Sequence, residues 1–221
     1  MKRGTKKRIL IVDDHPMMRQ GLAQLIDNES DLDVCGEADT ARQALTAVGA
    51  QKPDLIIADI SLPDKSGLEL IKDLQAIQSD LRVLVVSMHD ESLYAERVLR
   101  AGGRGYIMKQ EGGKKLLDAI RQVLNGQIYV SEKMSAKILE IFSGRRPQGG
   151  DSPLEQLSDR EFEVFQLIGQ GKTTREIADH LHLSVKTVEV HRANIRKKLK
   201  LASGTDVVHQ AIRWVESQKP N

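Results

Sequence analysis

The stretch Arg8-Ile9-Leu10-Ile11-Val12-Asp13-Asp14 decides the fold. An unbroken apolar run stops abruptly at two carboxylates. Three later runs do the same: Leu55-Ile56-Ile57-Ala58 stops at Asp59, Val83-Leu84-Val85-Val86 at Ser87, and Gly105-Tyr106-Ile107-Met108 at Lys109. Short continuous apolar runs suit strands covered on both faces, as in parallel sheets. If these runs are parallel strands, Asp13, Asp14, Asp59, Ser87 and Lys109 meet at one sheet edge. In open α/β folds, that carboxyl-end edge carries the chemistry.

The segments between the runs support this. Met18, Leu22, Leu25 and Ile26 fall at helical spacing after Pro16, a further strand covers 33–38, and Thr40 with Gln43 has capping-box spacing. Leu62-Pro63-Asp64-Lys65-Ser66-Gly67 is a turn by composition. Helices are expected over 68–78, 91–101 and 112–125. Five strands alternating with five helices predict a doubly wound parallel sheet.

Beyond it, an amphipathic helix is expected over 131–142, with Met134, Ile138, Ile141 and Phe142 on one face. Linker composition follows in Gly144-Arg145-Arg146-Pro147-Gln148-Gly149-Gly150-Asp151. From Ser158 the pattern is short and all helical, with capping-box pairs Ser158/Glu161 and Thr173/Glu176 and an N-cap at Ser184. A last helix spans about 206–217. The expected domains are 1–130, a linker helix and flexible hinge at 131–155, and a small four-helix domain at 156–221.

Composition narrows the function classes. One cysteine, Cys35, leaves no internal disulfide framework and suits a reducing compartment; its place in a strand predicts a small buried hydrophobe. No apolar stretch is long enough for a membrane span, and Asp13 and Asp14 interrupt what would be a signal-peptide core, so a cytoplasmic location is expected. The net charge is +2, but residues 185–200 place six Lys/Arg against the single Glu189, which points to a polyanion.

The converging carboxylates suit a hard cation, and Mg²⁺ takes only one or two carboxylates directly. One of Asp13 and Asp14 is therefore expected to bind through water. Asp59, ending a central strand before an open loop, is the candidate nucleophile for a phosphoryl group. Lys109 would neutralise charge there, and the Ser87 hydroxyl would donate to a phosphoryl oxygen. For any one of these acids, capping the next helix would be explanation enough; the common position of all five argues for a site. In the basic helix, Val188, Ile195 and Leu199 face a core. Lys186, Thr187, Glu189, Val190, His191, Arg192, Ala193, Arg196, Lys197 and Lys198 are the candidate contacts to double-stranded DNA. The cations would hold phosphates, while Val190 and Ala193 allow close approach to base edges. His15, His89, His180 and His182 read as loop or surface residues, with no zinc-spaced partners for the last two.

Val12-Asp13-Asp14-His15, Asp59 to Gly67, Val86-Ser87-Met88-His89 and Tyr106-Ile107-Met108-Lys109 together resemble the receiver domain of bacterial two-component response regulators, which has a flavodoxin-like fold. The resemblance implies that Asp59 accepts a phosphoryl group from a sensor histidine kinase. It also implies that the Ser61 backbone carbonyl joins the Mg²⁺ ligands, and that Ser87 and Tyr106 form a switch in which the tyrosine ring turns inward. Gln110 stands where receivers often have a cis proline, so a trans bond is expected after Lys109. Leu157 to Glu161, Gly171 to Ala178, Ser184 to Arg192 and Asn194 to Leu199 resemble the LuxR-type helix–turn–helix. Together the two halves resemble a NarL/FixJ-type regulator, a phosphorylation-regulated transcription factor and not an enzyme. That resemblance implies promoter DNA, a second copy of the chain in a homodimer and RNA polymerase as partners. Two other readings use the same residues: a switched protein-interaction module, with Glu189 on the exposed face, and a phosphohydrolase built on Asp59. Against the latter, Ser61 stands where a general acid is needed.

Overall fold

A computed structural model describes residues 6–142 and 153–217. The chain divides into two compact units, Met1–Arg145 and Arg146–Asn221. The linker stretch 144–151 lies outside the described residues.

In the first unit, strands β1 (Lys7–Val12), β2 (Leu32–Ala38), β3 (Leu55–Ala58), β4 (Arg82–Ser87) and β5 (Gly105–Met108) form a parallel sheet of order β2-β1-β3-β4-β5. Helices α1 (Pro16–Asp27), α2 (Ala41–Gln51), α3 (Gly67–Ile77), α4 (Glu91–Arg100) and α5 (Gly113–Leu124) connect and follow them. This is the expected doubly wound fold. Leu22 and Ile26 of α1 join Leu116, Leu117, Ile120 and Val123 of α5 in one core layer with Ile9, Ile11, Ile57 and Val86 of the sheet. On the other side α2 packs against α3, and α3 against α4. The central β3 is buried along its whole length, which explains its unbroken apolar sequence.

Two local expectations change. Gln43 turns its side chain to the Asp39 N–H, so Thr40 caps α2 without a full capping box. Cys35 is only half-buried, because β2 is an edge strand; its thiol lies 3.4 Å from the Ile9 carbonyl.

After α5, Tyr129 pairs with the free edge of β5, and α6 (Glu132–Phe142) packs against α4. The second unit opens with a 3-10 turn (Pro153–Gln156), followed by α7 (Asp159–Gly169), α8 (Thr174–His180), α9 (Val185–Lys198) and α10 (Gly204–Ser217). Both expected capping boxes, on α7 and α8, are present. Phe162 and Phe165 of α7 pack against Trp214 of α10. Gly169 is required where α7 crosses α10, since a Cβ there would lie 2.4 Å from the Ala211 carbonyl oxygen.

Candidate functional site

Strand order brings β1 and β3 side by side, with β4 and β5 following, and each strand ends on a chemically active side chain. The backbone ladder continues into these residues. The Asp13 N–H donates to the Ala38 carbonyl (3.1 Å), that of Asp59 to Val12 (2.9 Å), and that of Lys109 to Ser87 (2.8 Å). The site residues are thus fixed by the sheet itself. The loop after β3 closes tightly on its own strand. Gly67 donates to the Ile60 carbonyl (2.7 Å), and a Cβ on it would lie 2.2 Å from the Asp59 carbonyl oxygen.

Asp13, Asp59 and Ser87 are buried, and the Lys109 side chain is only 4% exposed; Asp14 is half-buried. Lys109 bridges the two buried acids: its Nζ lies 2.6 Å from Asp13 Oδ2 and 2.7 Å from Asp59 Oδ2. Burial alone would lower the lysine's pKa. The Asp59 charge and the hydrogen bonds to Asp13 and Asp59 outweigh that and hold it above its ordinary value. Asp59 Oδ1 accepts from the Ile60 N–H at 2.6 Å and from the Ser61 N–H at 3.4 Å. Asp13 Oδ1 accepts from the His15 N–H at 2.9 Å.

Asp13, Asp14, His15 and Asp59 each offer a ligand atom within 4.8 Å of the others. Three carboxylates converge here; the Lys109 ammonium is bonded to those of Asp13 and Asp59, and the Arg19 guanidinium donates to the Asp13 backbone carbonyl at 2.6 Å. An oxygen-rich, negatively charged donor set fits a hard divalent cation. His15, read from sequence as a loop residue, is drawn into this cluster. Its Nδ1 lies 2.6 Å from Asp14 Oδ1.

Behind the acids, the Ser87 hydroxyl accepts from the His89 N–H (3.4 Å). Tyr106 is fully buried, its ring already inward, and its hydroxyl donates to the His89 carbonyl (2.7 Å). Burial raises its pKa well above the usual phenol range. The His89 ring reaches Ser61 Oγ through Nε2 (3.0 Å) and stacks on Tyr94 of α4 at 4.8 Å. His89 thus touches the acceptor loop, the hydroxyl, the tyrosine and α4 together. Its residue type gave no signal of this. No cis peptide bond occurs among the described residues, as expected after Lys109.

In the second unit, α9 buries Val188 and Ile195 and exposes Lys186, Glu189, Val190, Ala193, Arg196 and Lys197. Thr187, His191 and Arg192 are half-buried. Thr187 also serves the helix start, with its N–H on Ser184 Oγ at 3.0 Å. Lys198, also a sequence candidate for DNA contact, is half-buried, with its side chain 38% exposed. Its Nζ lies 2.6 Å from Glu161 Oε2 and ties α9 back to α7. The carboxylate of Glu161 also accepts from the Ser158 N–H (2.8 Å). Burial would raise the Glu161 pKa, but Lys198 and Ser158 pull it below its ordinary value.

Comparison with known proteins places both units. Residues 9–121 match the family described as the response regulator receiver domain, and residues 155–211 match the luxR family of bacterial regulatory proteins. The chain is 34% identical to the response regulator GacA of Pseudomonas aeruginosa over 207 residues, covering 93% of this chain and 95% of that one. It is equally 34% identical to the oxygen regulatory protein NreC of Staphylococcus carnosus over 210 residues, covering 93% and 97%. A LuxR-family two-component response regulator from Aurantimonas aligns over 63% of this chain and 99% of its own, at 30% identity and a TM-score of 0.58. RcsB of Salmonella typhimurium, at 22% identity, shares the fold over 98% of this chain and 100% of its own, with a TM-score of 0.65.

Proposed function

Since this chain belongs to the response regulators that join a receiver domain to a LuxR-type DNA-binding domain, we propose that Asp59 is its phosphoacceptor and α9 its promoter-reading helix. The family consists of phosphorylation-regulated transcription regulators, not enzymes. The observation that carries the assignment is Lys109, which lies against both Asp13 and Asp59 beside a cluster of acids. In our reading, residues 1–130 are the receiver, 131–155 the linker helix and hinge, and 156–221 the DNA-binding domain.

The donor is a sensor histidine kinase. A carboxylate oxygen of Asp59 forms the new P–O bond as the P–N bond of phosphohistidine breaks, and the imidazole leaves with the electron pair. Lys109 holds positive charge at Asp59 throughout, and the backbone N–H groups of Ile60 and Ser61 fix the other carboxylate oxygen. Asp13, Asp14, Asp59 and the Ser61 carbonyl would hold Mg²⁺. When bound, that ion supplies positive charge to the phosphoryl oxygens. Ser87 then turns its hydroxyl toward the phosphoryl group, and Tyr106 keeps the space behind it filled.

On α9, the exposed Lys186, Arg196 and Lys197 and the half-buried Arg192 and His191 face phosphates. Val190, Ala193, Thr187 and Glu189 face base edges. Lys198, engaged by Glu161, holds the domain together. RcsB has been solved bound to promoter DNA in the presence of the phosphomimetic BeF3⁻. We extend a promoter-binding role to this chain, with homodimerisation on phosphorylation, a cytoplasmic location and RNA polymerase as a downstream partner. Among the described residues no helix is long and apolar enough to cross a membrane.

The test is transfer of radiolabelled phosphoryl from a small phosphodonor with Mg²⁺. Asp59→Ala should reduce labelling to background, whereas persistent labelling would move the acceptor elsewhere.

A further inference from the structure

The face behind the switch already has an occupant, and it is part of this chain. Tyr129 pairs with the free edge of β5: its N–H donates to the Arg104 carbonyl (3.0 Å), and its carbonyl accepts from the Tyr106 N–H (2.8 Å). The residue behind Ser87 is therefore bonded through its own backbone to the segment that leads out of the receiver. Gly105 makes this possible. A Cβ there would lie 2.9 Å from the Tyr129 carbonyl oxygen, too close for the pairing to survive unshifted.

Two residues further on, Ser131 starts α6. Its hydroxyl accepts from the Met134 N–H (3.2 Å), which is the first half of a capping box. The second half needs an acid at the third helical position, where this chain has Met134. Glu91, the first residue of α4, supplies it instead. Its Oε1 accepts from the Ser131 N–H at 2.7 Å, across 40 residues of sequence. Met134 itself is buried, only 2% exposed, on a helix that packs against α4. The cap of α6 is thus shared between two helices.

Glu91 lies two residues beyond His89, whose N–H donates to Ser87 Oγ and whose carbonyl accepts from Tyr106. The Ser87 Oγ that accepts from the His89 N–H is also the group that would donate to a phosphoryl oxygen on Asp59, so a shift of Oγ toward Asp59 perturbs a bond that is already 3.4 Å long. His89 passes that shift on, because its carbonyl accepts from Tyr106, its ring reaches Ser61 Oγ, and it stacks on Tyr94 of α4. Displacement of His89 carries Glu91 with it.

We propose that Tyr129–Met134 is the readout of the switch, an intramolecular clamp held by the β5 edge and by Glu91 of α4, and that phosphorylation of Asp59 releases it. This rests on the phosphoacceptor reading above. It assigns the α4–β5 face a specific occupant, the chain's own exit segment, and it makes release of that segment the first event after Ser87 moves.

The test is amide hydrogen exchange on the full chain, with and without Mg²⁺ and beryllofluoride as phosphoryl mimic. Mimic binding is read separately, from protection of the peptide around Asp59. With the mimic, exchange at Tyr106, Tyr129, Ser131 and Met134 should accelerate about tenfold, the equivalent of one net hydrogen bond or slightly more. Glu91→Ala should produce the same acceleration at Ser131 and Met134 without the mimic, while Asp59 still binds it. Gly105→Ala should do so at Tyr129 from the other end. If Asp59 becomes protected while these amides stay unchanged or slow down, the clamp is overturned and the phosphoacceptor stands. If Asp59 shows no protection, both fall.

Discussion

The receiver pocket and the outer face of α9 are both rich in charge, but they answer to different physics. In the pocket, Lys109 and Asp59 are about 4% and 5% exposed, and each ion has named partners within hydrogen-bonding distance. On α9, Lys186, Arg196 and Lys197 stand in solvent. Buried charges must be compensated inside the molecule, so their partners can be read from the chain alone. Exposed charges leave their partner unspecified, so α9 indicates a polyanion without naming a sequence. The contrast explains why the chemistry of one region is legible to the atom and that of the other only by class.

Removing the central charge of the pocket should have the largest effect. Lys109→Met keeps the bulk of the side chain but leaves two buried carboxylates without their shared ammonium. A loss of about 3–5 kcal/mol in receiver stability is expected from breaking a buried ion pair on one side. Far-UV circular dichroism follows the helices of both units and the fluorescence of Trp214, the sole tryptophan, marks the second, so the transition absent from the fluorescence is the receiver's. Added Mg²⁺ should recover part of the loss, because a bound cation restores the missing positive charge. A loss below about 1 kcal/mol would place the pocket's charges nearer to the solvent-screened behaviour of α9.

The pocket was legible because each apolar run ended on a polar residue and parallel strands align such ends. Asp13, Asp59 and Lys109 needed nothing more. What escaped were contacts that no local pattern announces. Asp64 crosses from the β3–α3 loop to cap α2, accepting from the Ala41 and Arg42 N–H groups at 2.8 and 2.9 Å. Arg121 of α5 reaches Glu29 and Asp31 at the far end of α1. His89 looked like a loop residue, and its role comes from its backbone carbonyl and ring together. Tyr129 could not be seen as a sheet residue, since a single paired position has no periodicity. From sequence Lys198 is one more cation on a basic helix; its partner Glu161 stands 37 residues earlier, on α7.

That last pair gives a sharper cut between the two kinds of charge within α9 itself. On a random-sequence duplex, Lys197→Ala should reduce the slope of log affinity against log salt by about 1, the signature of one lost phosphate contact. Lys198→Ala should leave the slope nearly unchanged and lower the stability of the second unit instead. Fluorescence anisotropy across a salt series measures the slope, and Trp214 fluorescence during unfolding measures the stability. Equal slopes for the two variants would mean that Lys198 also reaches DNA.

Glu161 predicts the smallest effect, and its sign follows from linkage. Its folded pKa lies below the ordinary value of 4.5, because Lys198 and the Ser158 N–H favour the carboxylate over the burial that opposes it. The unfolded chain therefore binds its proton more readily. The stabilisation is fully present above about pH 4.5 and fades as pH falls through the depressed folded value. Lys198 is partly exposed, which screens the pair, so Glu161→Gln should cost only about 1 kcal/mol at neutral pH. Gln can still accept from Ser158, so the cap survives and the lost increment belongs to the charge. Wild-type and variant unfolding curves, followed through Trp214, should differ at pH 7 and converge as the medium becomes acidic. A difference that persists unchanged into acid would assign the role of Glu161 to shape and hydrogen bonding alone, and would remove it from the class of buried charges to which the receiver pocket belongs.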